Sequence, residues 1–232
     1  MTLTSILKAE ENRYGEKEVA VEEAIKSIYK DILIEYDKPG CHGHNGDLSL
    51  SKIEGKWRLY LLNGKYQSNK HYHSCYSGIM AVETARKKLN NKPLFLLVGT
   101  AYNGDYKSLK KTYWLFGKNE DRSYFLHKIR PKIAETANFD VIRKWLWSIK
   151  ENEKLAERQG DLGFIKVKRK SGIKLEGNEL LLGNHNIIAD ELYHKKTKNV
   201  ERFFCINPIA HHGEHDTKQL KGLYELRLSK RW

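Results

Sequence analysis

The chain has 232 residues and a formal net charge of +13, from 42 lysines and arginines against 29 acidic residues. That length holds one large domain or two small ones, and 40% hydrophobic residues with only four prolines fit a packed core rather than a disordered chain. No apolar run nears the roughly 18 residues of a membrane span, the first 18 residues lack a signal-peptide core, and three widely spaced cysteines make no disulfide framework, so we expect a cytoplasmic protein with no membrane partner.

Taken in chain order, the first predicted element is a helix over 16–36. Val21, Ile25, Ile28 and Ile32 form its stripe, Ala24 and Tyr29 widen it, and Pro39-Gly40 ends it. Residues 47–62 alternate around Glu54-Gly55-Lys56 and read as a β-hairpin. The spacing of Ile79, Val82, Ala85 and Leu89 predicts a second helix over 77–89, with Arg86, Lys87 and Lys88 at its negative end. Residues 94–100 read as a buried strand, and 112–117 with 123–128 as another hairpin. A third helix is expected over 138–156, with Val141, Trp145, Leu146 and Ile149 inward. Trp147 lies about 200° round from Trp145, at the edge of a broad core face.

From Arg158 the pattern changes to short alternating segments broken by Gly, Asn and Pro: 162–168, 173–182, 186–193, 200–206 and 222–228. We therefore expect an α+β protein. A mixed domain of helices and hairpins spans 1–152, and a small β-rich module, barrel- or sandwich-like, spans 158–232.

The charge is unevenly placed. Residues 1–37 carry 5 basic and 9 acidic side chains, a net −4, which leaves +17 on the rest. Such an excess points to a polyanion. Lys107, Lys110, Lys111, Tyr113 and Trp114 interleave cations with aromatic rings, as phosphate contact and base stacking require. Lys166, Lys168, Arg169 and Lys170, then Lys195 and Lys196, extend the basic set. No helix concentrates the cations as major-groove readers do, so RNA is expected over DNA.

Histidine is the other unusual residue, with ten in the chain. Cys41 and His44 form a C-x2-H pair, His71 and Cys75 an H-x3-C pair, and the hairpin between them returns the chain to its start. Those four residues suit a structural zinc site, and they equally suit two polar loops with buried cysteines. His211-His212-Gly213-Glu214-His215, joined by His185, places imidazoles and a carboxylate where they can bind metal or exchange protons. His185, His212, Glu214 and His215 are the candidate catalytic set. Asp47 with Glu54 and Lys56 has the residue types of a magnesium nuclease core, but a hairpin tip is a poor place to hold paired carboxylates.

Arg158-Gln159-Gly160-Asp161, Gly183-Asn184-His185-Asn186, His212-Gly213-Glu214-His215 and Gly222-Leu223-Tyr224-Glu225 together resemble a group of short, uncharacterised bacterial and phage proteins. That group carries G-H-x-H where this chain has Gly183–Asn186. The resemblance covers about 158–228 and implies a compact β module in a bacterial or phage setting, with no established activity. Together these readings give a nucleic-acid-binding protein of a bacterial or phage ribonucleoprotein or defence system. The alternatives are a histidine-cluster nuclease or phosphodiesterase, and a protein-binding inhibitor or scaffold of a nucleoprotein machine.

Overall fold

A computed structural model describes residues 18–37, 47–67, 72–83, 93–102, 109–119, 122–198, 200–213 and 215–230. Contacts divide the chain into two units. One holds residues 1–118 and 124–137, and the other holds 119–123 and 138–231. This division falls at 137/138, ahead of the 152–158 boundary expected from sequence, because the third helix packs with the strands that follow it.

The first unit begins with α1 (Glu18–Lys26), whose Val21, Ala24 and Ile25 are buried at helical spacing. The chain then forms β1 (Ile32–Asp37), β2 (Ser49–Ile53), β3 (Lys56–Gln67), β4 (Tyr72–Glu83), β5 (Leu94–Tyr102), β6 (Leu109–Lys118) and β7 (Tyr124–Ile129), followed by α2 (Pro131–Ala134). The sheet order is β1-β3-β4-β5-β6-β7, with β2 also on β3. β1 runs parallel to β3, and the other pairs are antiparallel. Tyr29 is the hub of this core. Its ring meets Phe95, Phe116 and Tyr124 edge-on at centroid distances of 5.9, 5.7 and 5.3 Å, and its hydroxyl donates to the Pro93 carbonyl. A buried aromatic hub whose polar tip is satisfied keeps its full apolar gain.

Two expected helices are corrected here. Helix 16–36 stops at Lys26, and Ile32–Asp37 is strand. Ile32 is buried while Leu33 is exposed, the period of two that sheet pairing imposes. Residues 77–83 lie in β4. A register shift between Ile79 and Ala81 breaks its alternation, so Ile79 and Val82 fall three apart and imitate helical spacing. Residues 84–89 of that expected helix lie outside the described residues.

The second unit opens with α3 (Phe139–Leu146), capped by Asn138, whose side chain accepts from the amides of Asp140 and Val141. The helix ends ten residues sooner than expected: Trp147 caps it, Ser148 is left-handed at φ +53°, and the chain turns into strand. Trp147 is buried against Gly163, where a Cβ would overlap the indole. Next come β8 (Leu155–Gln159), β9 (Leu162–Lys166), β10 (Ile173–Lys174), β11 (Glu179–Leu182), β12 (His185–Ile188), β13 (Glu191–Thr197), β14 (Val200–Ile206), β15 (Ile209–His212), β16 (His215–Gln219) and β17 (Leu223–Leu228). They form a six-stranded sheet, β10-β13-β14-β17-β9-β8, and a four-stranded sheet, β11-β12-β15-β16. Leu162, Phe164, Leu192, Cys205, Tyr224 and Leu226 of the larger sheet share a core with Ile187 and Ala210 of the smaller.

The protein is therefore mostly β, with three short helices among the described residues, rather than the α+β chain with a mixed N-terminal domain that the periodicity suggested. No helix among the described residues is long and apolar enough to cross a membrane.

Candidate functional site

Three antiparallel strand pairs of the second unit supply one cluster of polar side chains at their ends. Gly160-Asp161 joins β8 to β9, with Gln159 opposite Leu162. Gly183-Asn184 joins β11 to β12, with Leu182 opposite His185. β15 pairs with β16 with His212 opposite His215. Gly160 and Gly183 take φ of +56° and +60°, the left-handed values that tight hairpins need. Gly160 is needed for a second reason. A Cβ there would overlap Nε2 of His215.

His185 sits fully buried at the centre. Its Nδ1 lies 2.9 Å from Oε1 of Gln159 and its Nε2 lies 2.7 Å from Oδ1 of Asp161. Gln159 is itself buried. Its Nε2 donates to the carbonyls of Ala210 at 2.9 Å and Asp216 at 2.7 Å, so this one amide ties β8 of the larger sheet to β15 and β16 of the smaller. A register shift between β15 and β16 inserts an extra residue in β16, and the shift brings the Asp216 carbonyl within reach of Gln159. The Asp161 carbonyl accepts from the Trp147 indole at 3.2 Å and the Ser229 amide at 2.8 Å, and Arg158 donates to the Gly160 carbonyl at 3.3 Å. The turn is thereby held on several sides.

Two more imidazoles lie beside His185. The His212 ring centroid is 4.6 Å from that of His185, and the His215 ring stacks on His212 at 4.5 Å with 28° between planes. Both are partly exposed. The structure thus gathers His185, His212 and His215 of the expected catalytic set, and Glu214 lies outside the described residues. His211 points elsewhere, is exposed, and meets the Thr217 hydroxyl at 3.2 Å. Sequence reasoning gave no role to Gln159 or Asp161, although both stood inside the Arg158–Asp161 run. No local signal marked them, since Gln159 is seen to be buried only once the turns meet.

Of the expected zinc ligands, Cys41, His44 and His71 lie outside the described residues. Cys75 is a buried free thiol in β4, pushed up from its ordinary range by burial. Among the described residues no group of three or more His, Cys, Asp or Glu is arranged to hold a metal ion.

The expected nucleic-acid contacts separate into two sets. Lys107 lies outside the described residues, while Lys110 and Lys111 are exposed on β6. Tyr113 is buried, and its hydroxyl donates to Glu135 at 3.0 Å, so it cannot stack an incoming base. Trp114 is half-buried, its indole donates to the Thr112 hydroxyl, and Lys128 covers its ring at 5.3 Å.

The second set runs from β9 along the connection to the β10–β13 end of the larger sheet. Lys166 ends β9, and Lys168, Arg169 and Lys170 lie on the connection that carries the chain from β9 to β10. Lys170 donates to the Tyr193 hydroxyl at 2.6 Å and reaches Glu191 at 3.3 Å, while Lys174 reaches Glu191 at 3.0 Å. Hydrogen bonds from Tyr193, Lys174 and Lys170 hold the Glu191 carboxyl down to about 2. Lys195 stands directly across from Arg202, and Lys196 across from Glu201. Among the described residues no ion pair engages Lys166, Lys168, Arg169, Lys195 or Lys196. Compared with known proteins, the chain matches no family model, no curated sequence and no solved structure.

Proposed function

We propose that the protein binds nucleic acid, RNA over DNA, through the basic end of the larger sheet in the second unit. The observation that carries this reading is the Lys195–Arg202 pair. Two cations stand directly opposite on neighbouring strands, and like charges so placed repel; Arg202 is partly offset by the buried Glu225 at 3.8 Å, which leaves Lys195 as the member an outside anion would meet. Lys168 and Arg169 are exposed on the connection leading to the same end of the sheet. A phosphate backbone is the simplest anion that meets several such cations at once.

RNA is favoured because no helix among the described residues offers a basic face. Among the described residues the longest, α1, has nine residues and carries Glu18, Glu22 and Glu23 against Lys26. Buried free thiols at Cys75 and Cys205 support a reducing compartment, and burial pushes the Cys205 thiol up to about 12. The bacterial or phage setting rests on the resemblance carried by Arg158–Asp161 and its companion motifs.

The test is the salt dependence of binding to a single-stranded RNA oligonucleotide. Affinity should fall steeply with salt. Replacing Lys168, Arg169 and Lys195 together by Ala should lower the slope by about 2, at roughly 0.7 for each phosphate no longer neutralised. Affinity unchanged up to half-molar salt, or purification with a protein partner and no RNA, would overturn the reading.

A further inference from the structure

The hydrogen bonds around His185 fix a proton count. The Gln159 amide nitrogen faces two backbone carbonyls, so both its hydrogens are donated and its oxygen is the end that faces Nδ1 of His185. An amide oxygen only accepts, so Nδ1 carries a hydrogen. Nε2 faces the Asp161 carboxylate, which also only accepts when ionised. A neutral imidazole has one N–H and cannot serve both. Donating to both partners takes one proton more than a neutral ring plus a carboxylate carries, and the ring that would do so is fully buried.

Both ring nitrogens of His185 are thus committed to protein partners. It is the floor of the cluster, and His212 and His215 lie beside it as two partly exposed rings. Gln159, Asp161 and Gly160 hold that floor in place from a turn that is itself anchored by Arg158 and Trp147.

We infer that His212 and His215 form an acid–base pair that cleaves the RNA backbone, with Gln159, His185 and Asp161 as positioning residues beneath them. The inference rests on the RNA-binding reading above. The route needs one neutral and one protonated ring side by side, and the two rings stand 4.5 Å apart. The neutral ring takes the ribose 2′-hydroxyl proton as that oxygen attacks phosphorus. The bond from phosphorus to the 2′-oxygen forms and the bond to the 5′-oxygen breaks, while the protonated ring gives its proton to the departing oxygen. The products are a 2′,3′-cyclic phosphate and a 5′-hydroxyl. One proton is taken and one given, and no water or metal is consumed. A chain lacking the 2′-hydroxyl has no nucleophile for this route.

The experiment uses the full chain with a labelled single-stranded RNA in the presence of chelator, beside the same strand made of deoxyribose. Cyclic-phosphate ends should appear from the RNA alone. His212→Ala and His215→Ala should each slow cleavage by at least ~100-fold with RNA affinity kept, and His212→Gln should behave likewise if the alanine variant folds poorly. Asp161→Asn, which donates to Nε2 instead of accepting, should lower the rate and displace the pH–rate profile without changing affinity. RNA bound but left intact overturns the acid–base pair and leaves the binding reading standing. Cleavage of the deoxyribose strand, or cleavage lost with chelator, also overturns the pair. Failure to bind RNA removes the binding reading, and the cleavage proposal with it.

Discussion

Asp161 and His185, 24 residues apart, meet at 2.7 Å between Oδ1 and Nε2, with the other ring nitrogen of His185 already given to Gln159. The pair should therefore show two ring hydrogens or a hydrogen shared with the carboxylate. In imidazole nitrogen-15 NMR of the folded protein, His185 should show hydrogens at both Nδ1 and Nε2, slow to exchange because the ring is buried. Asp161→Asn should leave one, on Nδ1, because the asparagine amide donates to Nε2. A spectrum of the parent protein with a single protonated nitrogen and no bridging hydrogen would contradict the assignment.

Gly160 and Gly55 make a matched comparison. Both have positive φ, +56° and +77°. A Cβ on Gly55 meets nothing within 4 Å, whereas one on Gly160 overlaps the His215 ring. Gly55→Ala should cost only the conformational strain, about 1 kcal/mol. Gly160→Ala should cost at least twice that, on the order of 2–3 kcal/mol, and should shift the His215 ring resonances. Equal losses in denaturant titrations of the two variants would mean that the close approach of Gly160 to His215 has no energetic weight.

How much of this was legible in the sequence depends on whether a local period survived the sheet. The Glu54-Gly55 hairpin and the strand beginning at Leu94 were readable because turn chemistry and apolar alternation act over neighbouring residues. Ile32 carried a helical stripe into a strand because pairing with Trp57 on β3 decided the outcome, and that partner lies some 25 residues away. The β4 bulge concealed a strand in the same way. Of the site, the three histidines were visible as a composition anomaly. Gln159 and Asp161 gained their roles only when the β8–β9 turn met the β11–β12 and β15–β16 turns, a long-range event with no local period. Tyr113 shows the opposite failure: an aromatic beside lysines looked like a stacking surface, and burial with a bond to Glu135 makes it core.

Lys195 opposite Arg202 separates function from stability by sign. Lys195→Glu replaces a like-charged cross-strand pair with an attractive one, so the folded protein should gain about 0.5–1 kcal/mol. The same change removes a cation and adds an anion at the proposed phosphate track, so RNA affinity should fall. Thermal unfolding and RNA titration of one variant check both. A variant that is less stable, or that binds RNA as before, would show that the pair is not held for an anion.

Glu153 and Arg227 give a pH dependence of defined direction. Arg227 Nη1 and Nη2 reach the two Glu153 oxygens at 2.8 and 3.0 Å, while Nε reaches Glu225 at 2.8 Å and Nη1 also donates to the Ser148 carbonyl at 2.7 Å. The paired hydrogen bonds join the connection between α3 and β8 to β17. The hydrogen bond from Arg227 holds the Glu153 carboxyl below its ordinary 4.5. A carboxyl lowered in the folded state stabilises that state above about pH 4.5, and the contribution disappears as pH falls through the lower folded value. Glu153→Gln should therefore destabilise the second unit by about 2 kcal/mol at neutral pH, and the gap to the parent should close only below pH 4.5. Hydrogen exchange of the β9 and β17 amides, followed from pH 7 to pH 3, reads this unit selectively. A gap that stayed constant across that range would assign the loss to packing rather than to the ion pair.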